Sequence, residues 1–120
     1  MTITISSLLE GDAQNIQWIG ITTNQYGEPY RRSQYNDKCV QVLGNFGSGA
    51  TVTLYGSCLR SPNLASDTDW FILTDTTETN LAFTSASGAQ ILQNPRWIRP
   101  KVTGGTSPAV NVHIEAMKAS

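Results

Sequence analysis

The side chains that could act as nucleophiles, bases or metal ligands are few and widely separated in the sequence. The one histidine, His113, lies in the alternating segment 110–115 and has Glu115 as its same-face neighbour. A catalytic histidine needs an activated nucleophile or an orienting carboxylate, and no serine motif accompanies this one. Zinc sites use closely paired Cys and His ligands, whereas Cys39 and Cys58 are 19 positions apart. We therefore expect neither an enzyme nor a zinc protein.

Three carboxylates near segment 70–74 raise the question of calcium. Asp67, Asp69 and Asp75 flank that segment. Calcium takes about six to eight oxygen ligands, so backbone carbonyls would have to complete the site. Asp and Thr before a strand also form ordinary turns by bonding their own backbone. We interpret the three aspartates as turn residues, with calcium as the alternative, and expect no metal and no other cofactor.

The glycine-rich segment 44–49 invites comparison with a phosphate-binding loop. Such a loop joins a strand to a helix and carries a lysine in its Walker form. Here an alternating, strand-like segment follows the glycines, and no lysine is present. The pattern predicts a hairpin turn instead.

The cysteines and the first residues bear on the compartment. Cys39 and Cys58 could form one disulfide, but two cysteines are too few for a disulfide scaffold. Segment 1–5 lacks the basic and long apolar regions of a secretion signal. We predict two reduced, partly buried thiols and synthesis in the cytoplasm.

The composition is dominated by uncharged polar residues. There are 14 Thr, 11 Ser, 8 Asn and 7 Gln, whereas only 14% of the 120 residues are charged and the net charge is −1. A nucleic-acid binder would show an excess of Lys and Arg, and a disordered tail would be poor in aromatic residues. No segment approaches the roughly 18 apolar residues of a membrane helix. The length predicts a single domain over residues 1–120, with neither nucleic acid nor membrane as a partner.

Short strands are the elements that must position these residues. Period-two alternation recurs in segments that end at Gly, Pro, Asn, Asp or Ser. The predicted strands are 2–5, 16–21, 39–43, 50–57, 70–74, 81–84, 97–102 and 110–115. Segment 70–74 is apolar on both faces and is predicted to be central, Pro100 indicates an edge strand or a bulge, and 87–93 could hold a short helical turn. About eight short strands predict an all-β fold, either an antiparallel β-sandwich or a jelly roll.

The sequence contains more residues suited to binding a partner than to catalysis. The long segment 24–38 gathers tyrosine and arginine side chains, namely Tyr26, Tyr30, Arg31, Arg32 and Tyr35. Tyr and Arg are enriched in interface hot spots, although the tyrosines could equally cap one end of the sandwich while the arginine stems lie along its surface. Trp18 could be a core residue or a contact, and we expect Trp70 and Trp97 in the core. A second long loop is predicted at 58–69.

The first residues offer another candidate interface. Ile3 and Ile5 alternate with threonines, so segment 2–5 could add a strand to a neighbour's sheet. The alternative is a first strand within its own sandwich. Residues 1–10 are therefore either an N-terminal arm or an edge strand.

Segment 50–115 resembles a group of small β-sandwich virion proteins of tailed bacteriophages. The resemblance rests on TVTLYGS at 51–57, a loop ending at Trp70, QILQNPRWIRP at 90–100 and the glycine pair before the last strand. NPRWIRP at 94–100 is its most specific part. The loop 58–69 is longer than the short Asp-Gly turn of the pattern.

The resemblance implies a capsid decoration, or cement, protein on the phage head. Such proteins commonly form trimers, and the implied partners are the major capsid protein or other virion proteins. A head-to-tail junction or tail component is the first alternative. A carbohydrate-binding module that stacks glycans on exposed Trp or Tyr is the second.

Overall fold

The computed structural model describes residues 2–3, 5–10, 13–31 and 37–117. This part of the chain is built from β-strands: β1 (Thr2–Ile3), β2 (Ile5–Glu10), β3 (Ala13–Ile21), β4 (Tyr26–Gly27), β5 (Tyr30–Arg31), β6 (Asp37–Asn45), β7 (Thr51–Ser57), β8 (Phe71–Ile72), β9 (Ala82–Phe83), β10 (Ser87–Ile91), β11 (Trp97–Thr103) and β12 (Ala109–Met117). Within the described ranges, no helix is long and apolar enough to cross a bilayer.

The strands form two sheets that confirm the predicted all-β sandwich. One sheet has the order β1-β4-β11-β7-β8, with β5 also on β11 and β9 also on β7; the other has the order β10-β6-β12-β3-β2. All pairs are antiparallel except β1 with β4. Since β1 and β2 pair with β4 and β3 of the same chain, the N-terminal residues form edge strands of their own sandwich.

Period-two alternation places one side-chain set of each strand between the sheets. On β12, Val112 and Ile114 are completely buried, and on β11 so are Ile98 and Val102. Successive side chains of a strand point to opposite faces, so the residues between them point outward. Burying each Val or Ile contributes roughly 1.5–3 kcal/mol. The apolar layer between the sheets therefore stabilises the strands that carry the outward-facing side chains.

The glycine-rich segment is not a hairpin turn, and that prediction was wrong. It carries the chain from β6 in one sheet to β7 in the other, and the segment between β11 and β12 makes the reverse crossing. The two crossings pack together. A Cβ on Gly47 would lie 2.3 Å from the carbonyl oxygen of Thr106, and one on Gly105 would lie 2.7 Å from Ala50 Cβ. Glycine is required here because the backbones approach too closely for a side chain.

β11 is a central strand, so of the two alternatives raised by Pro100 the edge strand is wrong, whereas a bulge fits the pairing, because Tyr26 and Tyr30 are four positions apart and their partners Lys101 and Ile98 are three apart. It pairs with β7 along its whole length, and with β4 and β5 on the other side. On that side the partners of Tyr26 and Tyr30 are Lys101 and Ile98. Pro100 therefore lies opposite the segment between β4 and β5, where no ladder hydrogen bond requires its missing N–H.

Two further segments differ from their predicted states. Segment 70–74 contains only the two-residue edge strand β8, and Phe71 and Ile72 are 41% and 37% exposed because β7 is its partner on one side. Segment 87–93 contains the edge strand β10, paired to β6, rather than a helical turn. The side chains of Ala89 and Ile91 both point toward the core, as alternate residues of a strand do. The segment is too short for its sequence to distinguish this strand pattern from a helical one.

Candidate protein-binding face

The outward side chains of β11 lie beneath a long loop. Since Ile98 and Val102 point into the core, Trp97, Arg99 and Lys101 point away from it. Segment 58–70, which joins β7 to β8, lies over these side chains. We call this surface, formed by the outward residues of β11 and by segment 58–70, the loop-covered face.

Arg99 fixes the loop to the sheet. Its guanidinium carbon lies 3.8 Å from the ring centroid of Tyr26 and 4.1 Å from that of Trp70, and its Nη1 donates a hydrogen bond to the carbonyl oxygen of Leu64 at 3.0 Å. Only 3% of Arg99 is exposed. Burial lowers the pKa of Arg99, and the nearby Tyr26 and Asp67 partly oppose that shift. A desolvated cation–π contact contributes about 2 kcal/mol, so the arginine is an anchor for the loop.

A groove opens beside Trp97. It has a volume of about 340 Å³, and its lining combines apolar and charged residues: Glu28, Pro29, Arg60, Ser61, Pro62, Leu64 and Trp97. Trp97 is half-buried rather than a core residue as predicted. Its indole N–H is buried and has no hydrogen-bond partner among the described residues. We call this feature the Trp97 groove.

A polar pocket lies next to the groove, at the start of β11. It has a volume of about 430 Å³ and is lined by Arg31, Cys58, Asn94 and Arg96. Arg31 pairs with Trp97 across β5 and β11, which makes the pocket and the groove adjacent. We call it the basic pocket.

The predicted interface residues do not stay together in the fold. Tyr26 stacks on Arg99 in the loop-covered face, and Arg31 is exposed in the basic pocket. Tyr30 is 5% exposed, and its hydroxyl donates to Gln14 Oε1 at 3.2 Å. Tyr30 therefore belongs to the core.

The remaining candidates are core residues or lie outside the described residues. Trp18 is completely buried, and its Nε1 donates to the Glu28 carbonyl oxygen at 2.9 Å, so of its two alternatives the core position is the one observed. Ile3 and Ile5 are partly buried and pack against the core. Arg32 and Tyr35 are outside the described residues.

Sequence reasoning missed most of the loop-covered face. The alternation of apolar and charged residues within β11 placed Arg99 and Lys101 outward, and this pattern was the sequence signal for the face. Trp70 is buried as expected, but it lies just outside β8 and stacks on Arg99. Arg96, which the sequence singled out only as part of the NPRWIRP motif, lines the basic pocket.

The other residues considered for chemistry are scattered. His113 lies on the outer side of the five-stranded sheet, between Gln17 and Gln41 in register. Cys39 and Cys58 are free and exposed, so their predicted partial burial was wrong.

Two of the three aspartates considered for calcium, Asp69 and Asp75, make turn contacts. Asp69 Oδ2 accepts a hydrogen bond from the Asn63 N–H, and Asp75 Oδ1 accepts hydrogen bonds from Thr77 and Thr79. The described residues contain no group of three or more potential metal ligands.

Comparison with known proteins shows the fold. No family model matches the chain, and no curated protein sequence matches it. Among solved structures it is similar to the SPBc2 prophage-derived protein YomS, with 11% sequence identity and a TM-score of 0.60, over 91% of this chain and 97% of that chain. Bacillus endospore appendages, described as disulfide-linked pili, align over 98% of this chain and 91% of theirs at 13% identity, but their TM-score of 0.35 carries no argument. The chain therefore shares its β-sandwich with a prophage-derived protein.

Proposed function

We propose that this chain is a non-enzymatic structural protein of a tailed-phage virion, and specifically a decoration protein of the head. The observation that carries the proposal is the loop-covered face, where the arginine Arg60 and the aromatic Trp97 line an open groove beside a loop held in place by Arg99. These are the residue types of interface hot spots. The fold shared with a prophage-derived protein and the resemblance of segment 50–115 to phage virion proteins both support a virion location.

The two outer faces differ in charge, which supports docking through one of them. Four described cations besides the buried Arg99 lie on or around the loop-covered face, namely Arg31, Arg60, Arg96 and Lys101, together with the three carboxylates Glu28, Asp67 and Asp69. Across the five-stranded sheet, the outward row around His113 carries the amides Gln17 and Gln41. We expect the loop-covered face to meet the capsid.

A preorganised face suits this task. Binding by a loop that is already ordered avoids about 0.5–1.5 kcal/mol of entropy cost for each side chain that would otherwise be immobilised. The Arg99 contacts order segment 58–70 before any partner arrives. Contacts repeated over many copies then add up without strong individual affinity.

Co-sedimentation with undecorated heads tests the proposal. We expect the purified chain to sediment with heads of the phage that encodes it and to saturate at a copy number similar to that of the major capsid protein. Arg60→Ala should weaken this binding at least tenfold. Gln41→Ala, on the opposite face, should change it less than twofold. Absence of the chain from sedimented heads would overturn the decoration role.

A junction or tail component is the alternative within the virion. A protein of a symmetric ring is present in about six or twelve copies, far fewer than a protein that covers the head. Quantitative mass spectrometry of purified virions distinguishes the two roles by copy number.

A carbohydrate-binding module has less support. Trp18 is buried, and Trp70 is 7% exposed with one ring face covered by Arg99, so the half-buried Trp97 beside its groove is the tryptophan most open to a glycan. A change in tryptophan fluorescence on adding host polysaccharide, lost in Trp97→Ala, would favour this role over decoration.

A further inference from the structure

We propose that the basic pocket is a carboxylate-binding site, and that it accepts an acidic side chain of a protein partner whose neighbouring apolar residue enters the Trp97 groove. Two guanidinium groups, those of Arg31 and Arg96, line one pocket of about 430 Å³. No carboxylate lines it among the described residues. Arg96 Nε is buried and has no partner in the described part of the chain.

The polar groups of the pocket are mainly hydrogen-bond donors. Lys38 is 2% exposed, and its Nζ donates to the Asn94 side-chain oxygen. That contact leaves the Asn94 amide N–H₂ as the group that faces away from Lys38. A thiol such as that of Cys58 is only a weak acceptor. A cavity with two guanidinium groups and an amide donor is complementary to an anion with several acceptor oxygens.

The choice between a carboxylate and a phosphate depends on the surface that surrounds the pocket. Arginine binds carboxylate and phosphate oxygens in the same bidentate manner, so the pocket alone does not choose between them. The adjoining groove does, because Pro29, Pro62 and Trp97 offer apolar surface directly beside the pocket. Glu28 on the same groove repels a second phosphate of a polyanion. The combination fits an acidic residue next to an apolar one in a peptide.

The existence of this site does not depend on the proposed function, although its assignment to a virion partner does. The test is an NMR titration of the full chain, which follows the Trp97 indole and the Arg31 and Arg96 side-chain signals. The probes are the capped peptide Leu-Glu-Leu, its Leu-Gln-Leu analogue and inorganic phosphate. We expect the glutamate peptide to shift these signals and to bind at least tenfold more tightly than either of the other two.

Charge variants test whether the glutamate peptide binds in the basic pocket. Arg31→Gln combined with Arg96→Gln should weaken binding of the glutamate peptide at least tenfold. Lys101→Gln removes one positive charge on β11, about 13 Å along the strand from Trp97, the partner of Arg31, and should change it less than twofold. If the double Gln variant does not fold, Arg31→Lys with Arg96→Lys keeps the charges and should weaken binding only a few-fold.

Four results would overturn the inference: no binding of the glutamate peptide, equal binding of the two peptides, tighter binding of phosphate than of the glutamate peptide, or no effect of the double Gln variant. Failure of the two proposals is distinguishable. Peptide binding without head binding removes the decoration role and keeps the carboxylate site, whereas head binding without peptide binding does the reverse.

Discussion

The guanidinium of Arg99 stacks on the indole of Trp70, with 4.1 Å between the guanidinium carbon and the ring centroid. The two residues are 29 positions apart in the sequence. This contact joins a central strand of the seven-stranded sheet to the end of segment 58–70. Because the Tyr26 ring lies on the same guanidinium at 3.8 Å, one buried cation holds together three separate parts of the chain.

Replacing Arg99 should free the loop while the sheet stays folded. We expect Arg99→Ala to lower the free energy of unfolding by about 1–3 kcal/mol, because it removes two cation–π contacts and a charged hydrogen bond, while relief of desolvation offsets part of that loss. Urea denaturation measures the loss. Hydrogen exchange should show faster exchange in segment 58–70 and unchanged exchange in β12.

Arg99→Met provides the matched control. It keeps much of the packing against Tyr26 and Trp70 and removes the hydrogen bond to Leu64. Its loop amides should exchange at rates between those of the wild type and Arg99→Ala. Unchanged exchange of the loop in Arg99→Ala would contradict the anchoring role.

The two crossings between the sheets should be sensitive to a single methyl group. Gly47 has φ +58 and no space for a Cβ beside Thr106, whereas Gly49 has φ +91 and no atom within 4 Å of a built Cβ. Gly49→Ala should cost about 1–2 kcal/mol from the left-handed backbone alone. Gly47→Ala should cost about 1–3 kcal/mol more, because the overpacking adds to that strain.

Thermal or urea unfolding of Gly47→Ala and Gly49→Ala measures the difference between their free energies of unfolding. Equal destabilisation by both substitutions would show that the crossings do not pack against each other. The comparison is informative because both positions have positive φ and differ in their surroundings.

Both cysteines should react in the folded state. Cys39 and Cys58 are free and exposed, so a thiol reagent should modify two thiols per chain without denaturant. Cys39→Ser and Cys58→Ser should each leave one reactive thiol. A folded, reduced chain that reacts only after denaturation would contradict the exposure of both side chains.

The turn after β8 should contribute a pH-dependent part of the stability. Hydrogen bonds lower the pKa of Asp75, first from the Thr77 hydroxyl and then from the backbone N–H groups of Thr79 and Thr77. Because the folded-state pKa lies below that of the unfolded chain, about 3.9, this contribution is present above pH 4 and is lost as the pH falls through the lowered value.

Asp75→Asn isolates that contribution. The wild type should be more stable than Asp75→Asn at pH 6, and the difference should shrink at pH 2. Urea midpoints at the two pH values measure it. A difference that is the same at both pH values would show that the charge of Asp75 does not strengthen the turn.

The sequence predicts what local alternation determines and fails where distant segments meet. The alternating segment 110–115 lies within β12, because a period of two requires only that one face be buried. The crossing at Gly47 was predicted as a hairpin because local turn chemistry does not specify which sheet the next strand joins. Pro100 left an edge strand and a bulge open for the same reason, since the choice depends on the partners opposite it. The Arg99–Trp70 contact likewise depends on the path of a long loop that has no periodic pattern.

The most direct test of the account is hydrogen exchange on the chain bound to heads, compared with the free chain. We expect head binding to slow the exchange of backbone amides in the loop between Cys58 and Trp70 and around Trp97, with little change in β6 and β12. Protection confined to β6 and β12, with the loop exchanging as in the free chain, would contradict the assignment of the loop-covered face as the docking surface.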